Sequence, residues 1–424
     1  MTSPTATGTC PFHTAGGEKP VGPLPYYRDT LYAEQAAARA EMPVYYVPDL
    51  DYWVVTKYED CFRILNDHEH FNSVNVAERP VPLHPDAIKI LQEGGFAPEP
   101  SQASLSAPRH TRIRNAMNSI LNVKTFLPLE PQIRALTVEM LDRFEGRNRV
   151  DLLEELTYEL PAHVIFLILG IPSKDVQAVK TWAGNRTVID FSPSTTEQQI
   201  DGAKNLVAYW KYIKALVQDR LENPRDDFTS RLLEWRNGDD GILTLNEIAT
   251  LTYSLSFAGH ETTTNQLTNL IRELMHQRAA WDAICADPKQ IPNVIEEGLR
   301  LDGSVIHWRR TVIKDTELSG VALPAGARLM MSFAAANRDP DQFPEPDLLD
   351  PARKNARKQL TFGHGMHVCH GAALARLEMK VVLEELTKRY PDMHLAADKP
   401  VDHLLSYVFR AATALWVDLG PKAG

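Results

Sequence analysis

The chain has 424 residues, 44% of them hydrophobic and 24% charged, with a formal net charge of -10. That length can bury a large core, while the acidic balance argues against a nucleic-acid partner. The four cysteines, Cys10, Cys61, Cys285 and Cys369, are too scattered for a disulfide framework and fit a reducing compartment.

Residues 1–21 are rich in Thr, Pro and Gly and read as a disordered tail. They carry no apolar run that would make a signal peptide or an anchor, so a cytoplasmic protein without a membrane partner is expected. Within residues 44–58 the run Tyr52, Trp53, Val54, Val55, Thr56 predicts strands of a small sheet. The stretches from Glu93 to Pro108 and from Asp190 to Thr196 are irregular, and read either as surface loops or as gates over a pocket. Between them His110 and Arg114 stand four apart on a helical pattern.

Thr244 and Glu247 form a capping-box pattern, and the helical period continues to about Met275, roughly 45 Å at 1.5 Å per residue. Inside this run lie Phe257, Ala258, Gly259, His260, Glu261, Thr262 and Thr263. A helix-interior Gly costs about 1 kcal/mol against Ala, and Thr competes for backbone bonds, so the segment points to function rather than propensity. From the residues alone, Glu261 could be a solvated helix residue and Thr262 a back-bonded one. His260 points away from the face of Ala258 and Thr262 and reads as structural. Downstream, Glu297 and Arg300 are one turn apart and can pair.

Near the C-terminus the chain reads Phe362, Gly363, His364, Gly365, Met366, His367, Val368, Cys369, His370, Gly371. The glycines permit sharp turns, Phe362 can shield a sulfur, and the helical pattern from Ala373 to Leu386 places Cys369 at a helix N-terminus, where a thiolate is favoured. Cys369 with His364, His367 and His370 could also be zinc ligands.

The spacing Phe362, Gly363, Gly365, His367, Cys369, Gly371 resembles the cytochrome P450 signature, and the resemblance extends from about Pro43 to Leu419. It implies a mainly α fold, a triangular prism with a long central helix over haem and a small β portion, as one haem domain over residues 22–424. It implies haem b, with Cys369 as the iron ligand, His110, Arg114, Arg310 and His367 on the propionates, and Ala258, Phe362 and Gly371 against the cofactor. Glu261 and Thr262 match the acid and alcohol that manage protons during oxygen activation. Glu297, Arg300 and Arg353 match a buried structural network. Ser254, Phe257, Ala258, Val305, Ile306 and Val408 match substrate-pocket positions, with the segment from Glu93 to Ala103 as lid; Phe257 could instead be core.

The activity implied is a monooxygenase using O2 and a small-molecule substrate. The sequence around Gly303 to Arg310 looks closest to bacterial haem domains fused to reductases, which suggests a small, largely apolar aromatic or alkyl substrate and possible aromatic O-dealkylation. No flavin, nicotinamide or iron–sulfur segment is evident, so a ferredoxin or flavodoxin-like electron donor with its NAD(P)H reductase is implied. Arg353, Lys354, Arg357 and Lys358, with Arg109 and Arg112, are expected to form the docking patch. A peroxide-driven peroxygenase and a non-enzymatic haem sensor or electron carrier are the alternatives.

Overall fold

Strand Val44–Val47 (β1) pairs antiparallel with Tyr52–Val55 (β2), whose four side chains are all buried because both of its faces are covered. The computed structural model describes residues 30–80 and 82–420; Cys10 and the tail expected over 1–21 lie outside them. Phe71–Asn72 (β3), His307–Val312 (β4) and Arg328–Ser332 (β5) complete a sheet of order β1-β2-β5-β4-β3, parallel only between β2 and β5. In a second, smaller sheet Trp416–Asp418 lies between Arg149–Asp151 and His394–Leu395.

Helices dominate the rest. Those that surround the site are α1 (Arg109–Ile120), α2 (Leu160–Leu169), α3 (Val176–Phe191), α4 (Thr196–Glu222), α5 (Leu245–His276), α6 (Ile291–Leu301) and α7 (Ala372–Arg389). The Thr244 hydroxyl accepts from the Glu247 N–H at 3.0 Å, and the Glu247 carboxylate accepts from the Thr244 N–H at 3.0 Å. This reciprocal cap fixes the start of α5 where the sequence placed it. Helix α5 is 32 residues long and packs against α2, α3, α4 and α6, so even most of its Thr, Asn and Gln side chains are buried, Thr262 and Asn246 excepted. Among the described residues no helix is long and apolar enough to cross a membrane.

Gly259 of α5 has a packing reason. A Cβ there would stand 2.6 Å from Ile165 Cγ1 of α2, and α5 runs on as α-helix through the segment 257–263. The helix-propensity cost read from the sequence is therefore exchanged for close approach of two helices, without a local opening.

Candidate active site

The loop carrying Cys369 is held by its own backbone. Gly365 has φ +68°, and a Cβ there would lie 2.7 Å from the Leu65 carbonyl oxygen, so only glycine fits. The Cys369 N–H donates to the Phe362 carbonyl at 2.9 Å. Gly371 caps α7, and the N–H groups of Gly371 and Ala372 donate toward the sulfur. Burial pushes the thiol up; those N–H groups and the Arg114 and Arg376 guanidinium groups act the other way. The dipole that the sequence suggests is present, at a sulfur that is exposed to the cavity.

His364 instead packs its ring, tilted, against Phe62 and bonds Asn66 Oδ1 at 2.7 Å. The four zinc-ligand candidates therefore do not converge, and no group of three His, Cys, Asp or Glu side chains is placed to hold a metal among the described residues.

Cys369 lines a cavity of about 350 Å³ with Phe362, His367 and Gly371 on one side and α5 on another. Ser254, Phe257, Ala258, Thr262 and Val305 also line it, as do Ser101, Gln102 and Ala103 from the expected lid segment. Ile306 and Val408 do not. Val305 and Phe409 form an antiparallel bridge, so side chains alternate: Val305 and Phe409 face the cavity, while Ile306 packs with Leu31 and Ala334 and Val408 with the Tyr45 and Tyr52 cluster. Phe409 is the wall residue that a correct strand register would have found. Phe191 is a second, stacked on Phe257 with ring centroids 5.8 Å apart.

Thr262 Oγ1 donates to the Ala258 carbonyl at 2.6 Å while lining the cavity. Glu261 is buried and points elsewhere, toward α3, where its Oε1 would be 3.3 Å from a Cβ on Gly184. Burial lifts its pKa to about 7, opposed by Lys180. Lys180 in turn donates to Glu159 Oε1 at 2.6 Å. Acid and alcohol thus sit on adjacent faces of α5. His260 is buried between Tyr158 and Phe166, and burial lowers its pKa to about 3, so it stays neutral.

Arg310 and His367 line the cavity, whereas His110 and Arg114 do not; they reach its edge through neighbours. The His110 ring lies 4.4 Å from that of His367, and Arg114 donates to the Val368 carbonyl at 2.8 Å. Among the described residues no carboxylate pairs with Arg114 or Arg310, and burial alone brings Arg310 down to about 10. Among the described residues His110 Nδ1 and His367 Nδ1 are buried without partners.

Glu297 and Arg300 pair inside the protein, Arg300 Nε donating to Oε1 at 2.6 Å, and Arg353 Nε donates to Glu297 Oε2 at 2.9 Å. Both arginines spend their remaining donors on carbonyls of residues 337–348, which ties α6 to the chain ahead of the Cys369 loop. Arg109 and Arg112 face Glu247 at the start of α5. They are absorbed in that pairing, because Glu247 is nearly fully buried and holds both guanidinium groups, so neither belongs to a free basic patch.

The cytochrome P450 family model matches residues 53–291 and 285–404. The chain belongs to the cytochrome P450 family. Erythromycin C-12 hydroxylase of Saccharopolyspora erythraea is 34% identical over 344 residues, 80% of this chain and 82% of that relative. The solved structure of cytochrome P450 CREJ in complex with (4-ethylphenyl) dihydrogen phosphate matches with a TM-score of 0.90 at 34% identity, covering 93% of this chain and 98% of that one. An intact type IV self-sufficient cytochrome P450 monooxygenase matches with a TM-score of 0.90 at 33% identity, covering 95% of this chain and 53% of that one.

The fold is therefore the P450 fold, the enzyme a P450 monooxygenase and its cofactor haem b. The residues present fit that cofactor. Two cations without acidic partners and two imidazoles with unpartnered nitrogens suit a group bearing carboxylates, and the Cys369 sulfur on the cavity wall suits an iron ligand.

Proposed function

We propose that this P450 oxidises a compact, largely apolar substrate, aromatic or alkyl, with aromatic O-dealkylation among its possible outcomes. The observation that carries the reading is the ring cluster on the cavity wall: Phe257 stacks on Phe191 at 5.8 Å, and Phe409 meets Phe191 edge-on at 5.0 Å. Such walls offer edges and faces to a flat body and almost no hydrogen bonding. The alkyl-aryl body in the CREJ complex is of this class.

Haem b, which Cys369 and the cations and imidazoles named above would hold, would supply the iron centre that activates O2. The chain's own residues provide the surroundings. Phe191, Phe257 and Phe409 exclude water and orient the apolar body. Thr262, anchored to the Ala258 carbonyl, keeps oxygen lone pairs available at the cavity, where a hydroxyl can both accept and pass on a proton. Glu261, which burial lifts to about 7, is the proton store on the adjacent face of α5.

Electrons come from a ferredoxin or flavodoxin-like donor with its NAD(P)H reductase. Lys354, Arg357 and Lys358, exposed and free of acidic partners among the described residues, support docking beside the Cys369 loop. The testing experiment is a Soret-band titration of the haem-loaded protein with alkylbenzenes, alkylphenols and aryl ethers, against steroids and macrolides. Shifts confined to the compact set support the reading, and shifts confined to the large set refute it.

A further inference from the structure

We propose that the α3 side of the cavity holds an oxyanion subsite built on Arg186, so that the substrate is a compact apolar body bearing one carboxylate or phosphate group. The proposal rests on the compact-substrate reading and specifies the polar end of the molecule.

Arg186 and Asp190, one turn apart on α3, both line the cavity. The Arg186 guanidinium carbon lies 4.6 Å from the centroids of both the Tyr253 and Phe257 rings, which fix the plane of the fork. Its Nε donates to Asp190 Oδ2 at 3.3 Å, and its Nη1 is buried with no partner among the described residues. Asp190 is also shared: Arg79 Nη2 lies 2.9 Å from Oδ1, and Arg79 Nε is itself buried without a partner among the described residues. Among the described residues two guanidinium groups thus divide one carboxylate, leaving one positive charge uncompensated beside an apolar chamber. Such a charge is costly to bury unpaired, and an incoming oxyanion matches the guanidinium fork. Arg186 contacts the Phe257 ring, so an anion held there would keep the apolar body against the Phe191, Phe257 and Phe409 cluster.

The haem-loaded protein is titrated by calorimetry and by its Soret band with 4-ethylbenzoate, 4-ethylphenyl phosphate and the neutral 4-ethylbenzamide. Wild type should bind at least one anion about 10-fold or more tighter than the amide, and Arg186→Gln should weaken that anion by about 10- to 100-fold while moving the amide by less than about 3-fold. Asp190→Asn should tighten anion binding, because it removes the internal competitor, and Arg186→Lys should restore part of the preference. The anion with the larger Arg186 dependence identifies carboxylate or phosphate as the group recognised. Equal or better binding of the amide by wild type overturns the subsite alone, as does an Arg186→Gln loss of the same size for amide and anions. Binding of no probe overturns both the subsite and the compact-substrate reading.

Discussion

The Thr262 hydroxyl is tethered to the Ala258 carbonyl 2.6 Å away, and both residues line the cavity. The tether uses the hydroxyl's only proton within the helix and turns its lone pairs outward, so Thr262 is set to accept before it donates. Thr262→Ala should bind substrate with unchanged affinity and consume reductant, while product per electron falls several-fold and hydrogen peroxide rises. Thr262→Ser, which keeps the hydroxyl, should recover most of the coupling. Product and peroxide measured per NAD(P)H decide it; unchanged stoichiometry in Thr262→Ala would mean that another group handles the proton.

Glu261 titrates near neutrality because burial lifts it to about 7 from 4.5, with Lys180 opposing; Tyr158 and His260 also face it. Between those values the folded state holds a proton that the unfolded state has released, so stability falls as pH rises and levels off above about 7. Glu261→Gln removes that slope. Relative to the variant, wild type should lose up to about 3 kcal/mol between pH 4.5 and 7, as denaturant melts across pH would show. Turnover of Glu261→Gln should also be slower and should lack the wild-type decline above pH 7.

How far the sequence carried depended on whether a feature was local. The capping box of Thr244 and Glu247 and the loop around Cys369 are written in consecutive residues, and both lie where the pattern put them. The pairing of Arg353 with Glu297 came from the family resemblance, since 56 residues of chain separate the partners. Ile306 and Val408 were misplaced by one residue, which in extended chain reverses the face. Arg186 gave no signal at all, because an arginine in an amphipathic helix looks solvated until Tyr253 and Phe257 are seen to close over it. Arg109 and Arg112 looked like free surface charge for the converse reason: their partner, Glu247, is about 135 residues away in sequence and was read only as a helix cap.

Glu297 is fully buried and, among the described residues, is the single carboxylate between Arg300 and Arg353. Removing it leaves two guanidinium groups without a counter-charge, although each keeps its carbonyl acceptors. Glu297→Gln should therefore destabilise the protein by about 3–5 kcal/mol. Urea unfolding of the haem-loaded protein should show the midpoint fall, accompanied by loss of haem, since the network anchors the chain that leads into residues 362–371. An unchanged midpoint would mean that the carbonyls alone hold the arginines.

Lys354, Arg357 and Lys358 are exposed in the short stretch that ends four residues before Phe362, and the Lys358 carbonyl is pinned by the Tyr58 hydroxyl at 2.8 Å. Tyr58 stacks on Phe62, which itself packs on His364 of the Cys369 loop, so the basic stretch is held beside that loop. Charges placed this way attract an acidic electron donor over a distance comparable to the screening length, roughly 10 Å at 0.1 M salt, and raise its encounter rate more than its affinity. The stopped-flow rate of reduction should therefore fall with ionic strength in wild type. Lys354→Glu combined with Lys358→Glu should lower the rate at low salt by about 10-fold or more and flatten its salt dependence. Arg112→Glu is the informative contrast: its guanidinium is committed to Glu247, so it should disturb stability at the start of α5 more than association with the donor. A reduction rate indifferent to salt and to the paired reversal would place the donor elsewhere on the surface, because a carrier arriving beside residues 354–358 could not escape their field.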